Sequence, residues 1–125
     1  MALKRKAYER FEFWKRNKSK QALLVTGARQ VGKTYLVREL MQSHYPNSVE
    51  INLADDAAAR RSFEAATDAD DLMLRISVAA DAHLVPHETA IFLDEIQECP
   101  NVMEHIKLLV DRGEYDFILS GSLLG

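Results

Sequence analysis

Apolar positions along the chain change their period several times, and each change marks an element. Leu3, Ala7, Phe11 and Trp14 recur at helical spacing among charged residues, which predicts an amphipathic helix over residues 2–17. Gln21-Ala22-Leu23-Leu24-Val25-Thr26 is a short apolar run closed by glycine and predicts a buried strand; Leu36, Val37, Leu40 and Met41 then restore the helical period over 33–44. Residues 48–53 alternate as a second strand, Asp55 or Asp56 is placed to cap a helix running to Ala66, and Asp68 to cap another running to Ala80. Thr89-Ala90-Ile91-Phe92-Leu93 is apolar without alternation, as a parallel strand covered on both faces must be. Pro100 to Val110 predicts a helix with Val102, Ile106, Leu109 and Val110 on one face, and residues 115–119 a fourth strand. Strands alternating with helices predict an α/β fold on a mostly parallel sheet.

Composition narrows the class of protein. At 125 residues, 47% of them apolar, the chain fits one compact domain able to bury a core without staples. Its one cysteine, Cys99, excludes an internal disulfide framework, and neither a membrane-spanning run nor an apolar signal segment is present in the sequence, so a cytoplasmic location is expected. The net charge of −3 conceals an asymmetry: residues 1–20 hold eight bases and two acids, a balance of +6, which leaves −9 on the remainder. That basic front end reads either as the solvated face of a helix docked on the body or as a nucleic-acid patch. The division expected is a basic helix over 1–20 and a core over 21–125.

Gly27-Ala28-Arg29-Gln30-Val31-Gly32-Lys33-Thr34 fits G-x-x-x-x-G-K-[ST], the Walker A phosphate loop. It follows a predicted strand and opens a predicted helix, where consecutive backbone N–H groups converge on phosphate oxygens. Gly27 and Gly32 allow the backbone to approach closely, Lys33 brings a charge to the β- and γ-phosphates, and the Thr34 hydroxyl can ligate Mg²⁺.

Phosphoryl transfer also needs a carboxylate near the metal and a group that orients and deprotonates water. Asp94 and Glu95 follow the apolar third strand at its carboxyl end, where ligands bind in open α/β sheets. Asp94 is expected in the metal shell and Glu95 as the base, an arrangement that favours hydrolysis over transfer to a second substrate. Ser120 and Ser122 follow the fourth strand and are candidates for orienting the attacking water, with Gln97 and Arg29 as further candidates. ATP and Mg²⁺ are the ligands expected.

These segments, together with Glu50-Ile51-Asn52-Leu53, Phe92-Leu93-Asp94-Glu95-Ile96-Gln97-Glu98-Cys99-Pro100 and Ser120-Gly121-Ser122-Leu123-Leu124-Gly125, resemble the bacterial and archaeal AAA-like ATPases with a GARQVGKT phosphate loop and a DEIQ acidic motif. The resemblance implies a P-loop NTPase core of the additional-strand ATPase type, with the fourth strand between the first and third. It further implies a longer protein that continues through a fifth strand, an arginine-bearing segment and a C-terminal domain. On that reading the sequence is truncated after its fourth strand, residues 21–26 become an open edge that predicts marginal stability or self-association, and binding is favoured over fast turnover.

Rival readings are poorly supplied with residues. A GTPase would need a DxxG-type acidic motif and a late guanine-reading NKxD, and a small-molecule kinase would need lid arginines where only Arg112 is found. The alternative from another class is a nucleotide-binding interaction module, or a truncated remnant, with little or no catalysis. His83 and His87 are separated by Pro86, which argues against a metal-binding helix face, and no base stands near Cys99 at a spacing that would make it a nucleophile.

Overall fold

A computed structural model of the chain describes residues 2–17, 21–25 and 31–121. Helix α1 spans Ala2–Arg16, strand β1 Leu23–Val25, α2 Val31–His44, β2 Asn47–Asn52, α3 Ala57–Glu64, α4 Ala69–Ala80, β3 Thr89–Asp94, α5 Met103–Arg112 and β4 Asp116–Ser120. The four strands form one sheet in the order β1-β4-β3-β2, every pair parallel. The α/β class with a parallel P-loop-type core is thus observed, and so is the placement of the fourth strand between the first and third.

The unbroken apolar run of β3 has a direct structural cause. All six of its residues are buried, and successive side chains enter different cores. Ile91 and Leu93 join Phe63, Leu72, Ile76 and Ile106 from α3, α4 and α5 on one face. Ala90 and Phe92 join Phe11 of α1 and Val37, Leu40 and Met41 of α2 on the other. Phe117 and Leu119 follow the first set and Ile118 the second, so β4 is also covered twice.

The predicted caps form. Asp56 accepts from the Ala59 N–H at 2.9 Å and Asp68 from the Asp71 N–H at 2.8 Å, opening α3 and α4. α4 ends at Asp81 in the left-handed conformation, and α5 ends at Gly113 with φ 72°. One helix differs from expectation. The single helix read from Pro100 to Val110 begins instead as a 3₁₀ turn, Pro100–Val102, itself preceded by another over Ile96–Glu98, and is α-helical from Met103 to Arg112. Pro100 lacks an N–H and keeps the preceding residue out of the helical region, and Cys99 is accordingly at φ −130°, ψ 67°.

Helix α1 is fastened to α2 by its apolar stripe and by polar contacts. Phe11 is buried and lies 4.9 Å from the His44 ring; Tyr8 Oη donates to Glu39 Oε1 at 2.7 Å; the Lys15 ammonium sits 4.9 Å from the Tyr45 ring centre. Within the sheet β1 pairs with β4 on one side and is an edge on the other, where Leu24 is 55% exposed. Among the described residues no helix is long and apolar enough to cross a membrane.

Candidate functional site

The first turn of α2 and the carboxyl ends of β3 and β4 meet at one point. Lys33 and Thr34 lie in that turn, Asp94 is the last residue of β3, and Ser120 is the last residue of β4. The parallel register sets these neighbours: Leu93 is opposite Leu119, so the residues that follow, Asp94 and Ser120, emerge side by side. Asp94 is only 3% exposed, and its carboxylate is held by three donors. Thr34 Oγ1 donates to Oδ2 at 3.2 Å; Ser120 Oγ and the Glu95 backbone N–H, the latter at 2.9 Å, donate to Oδ1. A buried carboxylate needs such partners, because desolvation without them would disfavour its charge.

Glu95 follows in the left-handed region at φ 56°, ψ 49°. That conformation is unfavourable for a residue with a Cβ, and it turns the chain sharply off the strand into the 3₁₀ segment. Gln97 Nε2 then donates to Glu95 Oε1 at 2.7 Å. The site therefore brings together Thr34, Asp94, Glu95, Gln97 and Ser120, with Lys33 half-buried on the same helical turn.

The expectations at Gly27, Ala28, Arg29, Gln30 and Ser122 lie outside the described residues, as does the side chain of Val31. Gly32 is in α2 and exposed, with nothing within 4 Å of the place a Cβ would occupy.

Two features near the site have no counterpart among the expected residues. Arg38, one helical turn beyond Thr34, makes a two-pronged ion pair with Glu50 of β2, Nε to Oε1 at 2.6 Å and Nη2 to Oε2 at 2.8 Å. That hydrogen bonding and the Glu50 charge hold the Arg38 guanidinium above its ordinary pKa, with a smaller contribution from Asp94. Beside Lys33, a cleft of about 400 Å³ runs between α1 and β1, with Leu36, Val37 and Ile118 on its apolar floor and Lys6 and Arg10 at its rim.

The model of the AAA domain family matches residues 19–125. The chain belongs to this family. The structure agrees: that of PCH-2 from C. elegans superposes on this AAA domain with a TM-score of 0.55 at 18% identity, over 99% of this chain and 35% of that one. At that identity the likeness concerns the fold. This AAA domain thus spans about a third of the length of the PCH-2 chain. No curated protein matches it. Family and fold together make it a P-loop ATPase-like domain.

Proposed function

We propose that this AAA domain binds ATP with Mg²⁺ and hydrolyses it to ADP and phosphate. The observation that carries the proposal is the contact between Thr34 and Asp94, which joins the last residue of the phosphate-loop motif, in the first turn of α2, to the acidic end of β3. Residues 27–34 supply the backbone donors and Lys33 the cation for the phosphates, aided by the positive end of α2.

The donor set suits Mg²⁺. That ion is commonly bound through one or two carboxylates together with phosphate oxygens and water, and a hydroxyl 3.2 Å from a buried carboxylate matches the demand. Thr34 and Asp94 would hold it; when bound, it neutralises charge on the phosphate oxygens. Among the described residues there is no cluster of three or more His, Cys, Asp or Glu that could form an all-protein metal cage, which leaves a shared site of this kind as the arrangement on offer.

Glu95 is the proposed base. Its carboxylate accepts a proton from water as the water oxygen bonds to the γ-phosphorus and the bond to the bridging oxygen breaks, releasing ADP. Ser120 holds Asp94 in place, and Ser122 remains the proposed hydroxyl for orienting the water. Self-association through the β1 edge and a nucleic-acid contact through α1 belong to the same proposal, as does a cytoplasmic setting.

Calorimetric titration with Mg²⁺ and a slowly hydrolysed ATP analogue, on the wild type and Lys33→Ala, tests binding. Steady-state phosphate release, with Glu95→Gln as control, tests hydrolysis. The expected result is saturable binding lost in Lys33→Ala and turnover reduced by about 100-fold or more in Glu95→Gln with binding retained. Binding without phosphate release would instead make the domain a nucleotide-dependent interaction module.

A further inference from the structure

We infer that Gln97 is a positioning residue for Glu95, holding one carboxylate oxygen so that the other is presented to the reacting water. The inference rests on the reading of Glu95 as the base, and two observations on the same side-chain amide support it. The first is the contact itself. Gln97 Nε2 donates to Glu95 Oε1 at 2.7 Å, at the short end of the range for a hydrogen bond to a charged oxygen. Oε2 of the same carboxylate has no hydrogen-bond partner among the described residues. One oxygen is thereby anchored and the other left for chemistry.

The second observation is what the contact costs. With its NH₂ group toward Glu95, the Gln97 amide leaves its own oxygen buried and without a partner among the described residues. A half-turn of the amide would reverse the two ends and set that oxygen against the Glu95 carboxylate, acceptor facing acceptor. An unmet buried acceptor is uncommon and unfavourable, so a glutamine kept here solely to fill space would be a poor choice beside leucine or methionine. Its donor end accounts for its presence.

The backbone reinforces this geometry. Glu95 takes the left-handed conformation at φ 56°, and its N–H is fixed on Asp94 Oδ1. Ile96 is buried in the core, and the 3₁₀ turn from Ile96 to Glu98 brings Gln97 back over the residue two places before it. Three successive anchors, backbone on Asp94, side chain of Ile96 in the core, and amide of Gln97 on the carboxylate, leave the Glu95 side chain little freedom. Orientation of a reacting group before the event is a principal source of rate.

Gln97→Met, which keeps the length and removes the donor, tests the inference in the full chain. The expected outcome is a fall in kcat of about tenfold or more with the affinity for the Mg²⁺-bound ATP analogue unchanged. In Glu95→Gln, where the base is already lost, adding Gln97→Met should cause little further fall. A kcat equal to wild type, or a loss of nucleotide affinity parallel to the loss of rate, overturns the inference.

A readout independent of turnover separates this from the ATPase reading. The Gln97 side-chain amide protons, followed by NMR, should include one that is shifted downfield and protected from solvent exchange, and both properties should vanish in Glu95→Ala. If the wild type shows no phosphate release, the hydrolytic reading fails and this signature decides whether Gln97 holds Glu95. Amide protons that are unaffected by Glu95→Ala overturn the contact itself.

Discussion

Thr34 Oγ1 and Asp94 Oδ2 lie 3.2 Å apart although 60 positions separate them in the chain, and this contact ties the first turn of α2 to the end of β3. Both carboxylate oxygens accept, Oδ2 from Thr34 and Oδ1 from Ser120 and the Glu95 N–H, whereas an asparagine would keep a single acceptor oxygen and remove the charge from this nearly dry position. The charge is the informative part. Asp94→Asn should therefore weaken binding of Mg²⁺-ATP about 10- to 100-fold, given that a contact to a charged group contributes about 1.5–3 kcal/mol. Binding of ATP in the presence of EDTA should change little. Calorimetry with and without the metal checks both, and equal losses in the two conditions would remove Asp94 from the metal shell.

How much of this was readable from the sequence depends on whether the signal was local. The phosphate-loop motif, the unbroken β3 run and the aspartates that cap α3 and α4 each depend on residues close in sequence, and the strands and caps are found where they were expected. The extent of α5 was misread because periodicity through Val102 and Ile106 persists across 3₁₀ turns, whereas Pro100 imposes the break. Long-range partners carried no such signal. That Ser120 faces Asp94 follows from the β3 to β4 register, and that Arg38 reaches Glu50 follows from α2 crossing β2; neither is a periodicity. The Gln97 contact needed the left-handed turn at Glu95, which nothing in the residue type announces.

The β1 edge offers a test of self-association. Leu24 is 55% exposed in a three-residue strand paired with β4 on one side. An exposed apolar strand edge is a template for pairing with another strand, and a lysine there opposes it. Leu24→Lys should abolish concentration-dependent association measured by sedimentation velocity, with the circular dichroism spectrum unchanged. Association that persists in the variant would place the interface elsewhere.

Asp71 gives a pH dependence of known sign. Its carboxylate accepts from the Thr67 N–H at 3.0 Å, from Thr67 Oγ1 at 3.3 Å and from Arg75 Nε at 3.1 Å. The Thr67 backbone bond first, then the Arg75 contacts, hold its pKa below the ordinary 3.8, while burial opposes them. A depressed carboxylate pKa stabilises the fold above the unfolded value, and that contribution disappears as pH falls through the folded value. Asp71→Ala should thus melt at a lower temperature than wild type at pH 7, and the gap should close below pH 3.8. Thermal unfolding followed across this range checks it, and a gap independent of pH would show that the carboxylate charge is not responsible.

Cys99 is placed to report on opening of the core. The side chain is completely buried against α3, where its Sγ donates to the Arg60 carbonyl at 3.5 Å. Burial, with smaller effects from nearby charges, pushes the thiol up to about 11, so very little thiolate exists at pH 8. Access and ionisation both oppose reaction with a disulfide reagent, and both constraints end when the chain unfolds. Native protein at pH 8 should accordingly react orders of magnitude more slowly than a free thiol, and fully within seconds to minutes in denaturant. The native rate should rise in parallel with urea-induced opening and fall when the Mg²⁺-ATP analogue is added, because a ligand that binds only the folded state makes the open form rarer. Fast labelling of the native chain would mean that the 3₁₀ segment carrying Cys99 opens separately from the rest of the sheet, and Glu95, which begins that segment, would then share the motion.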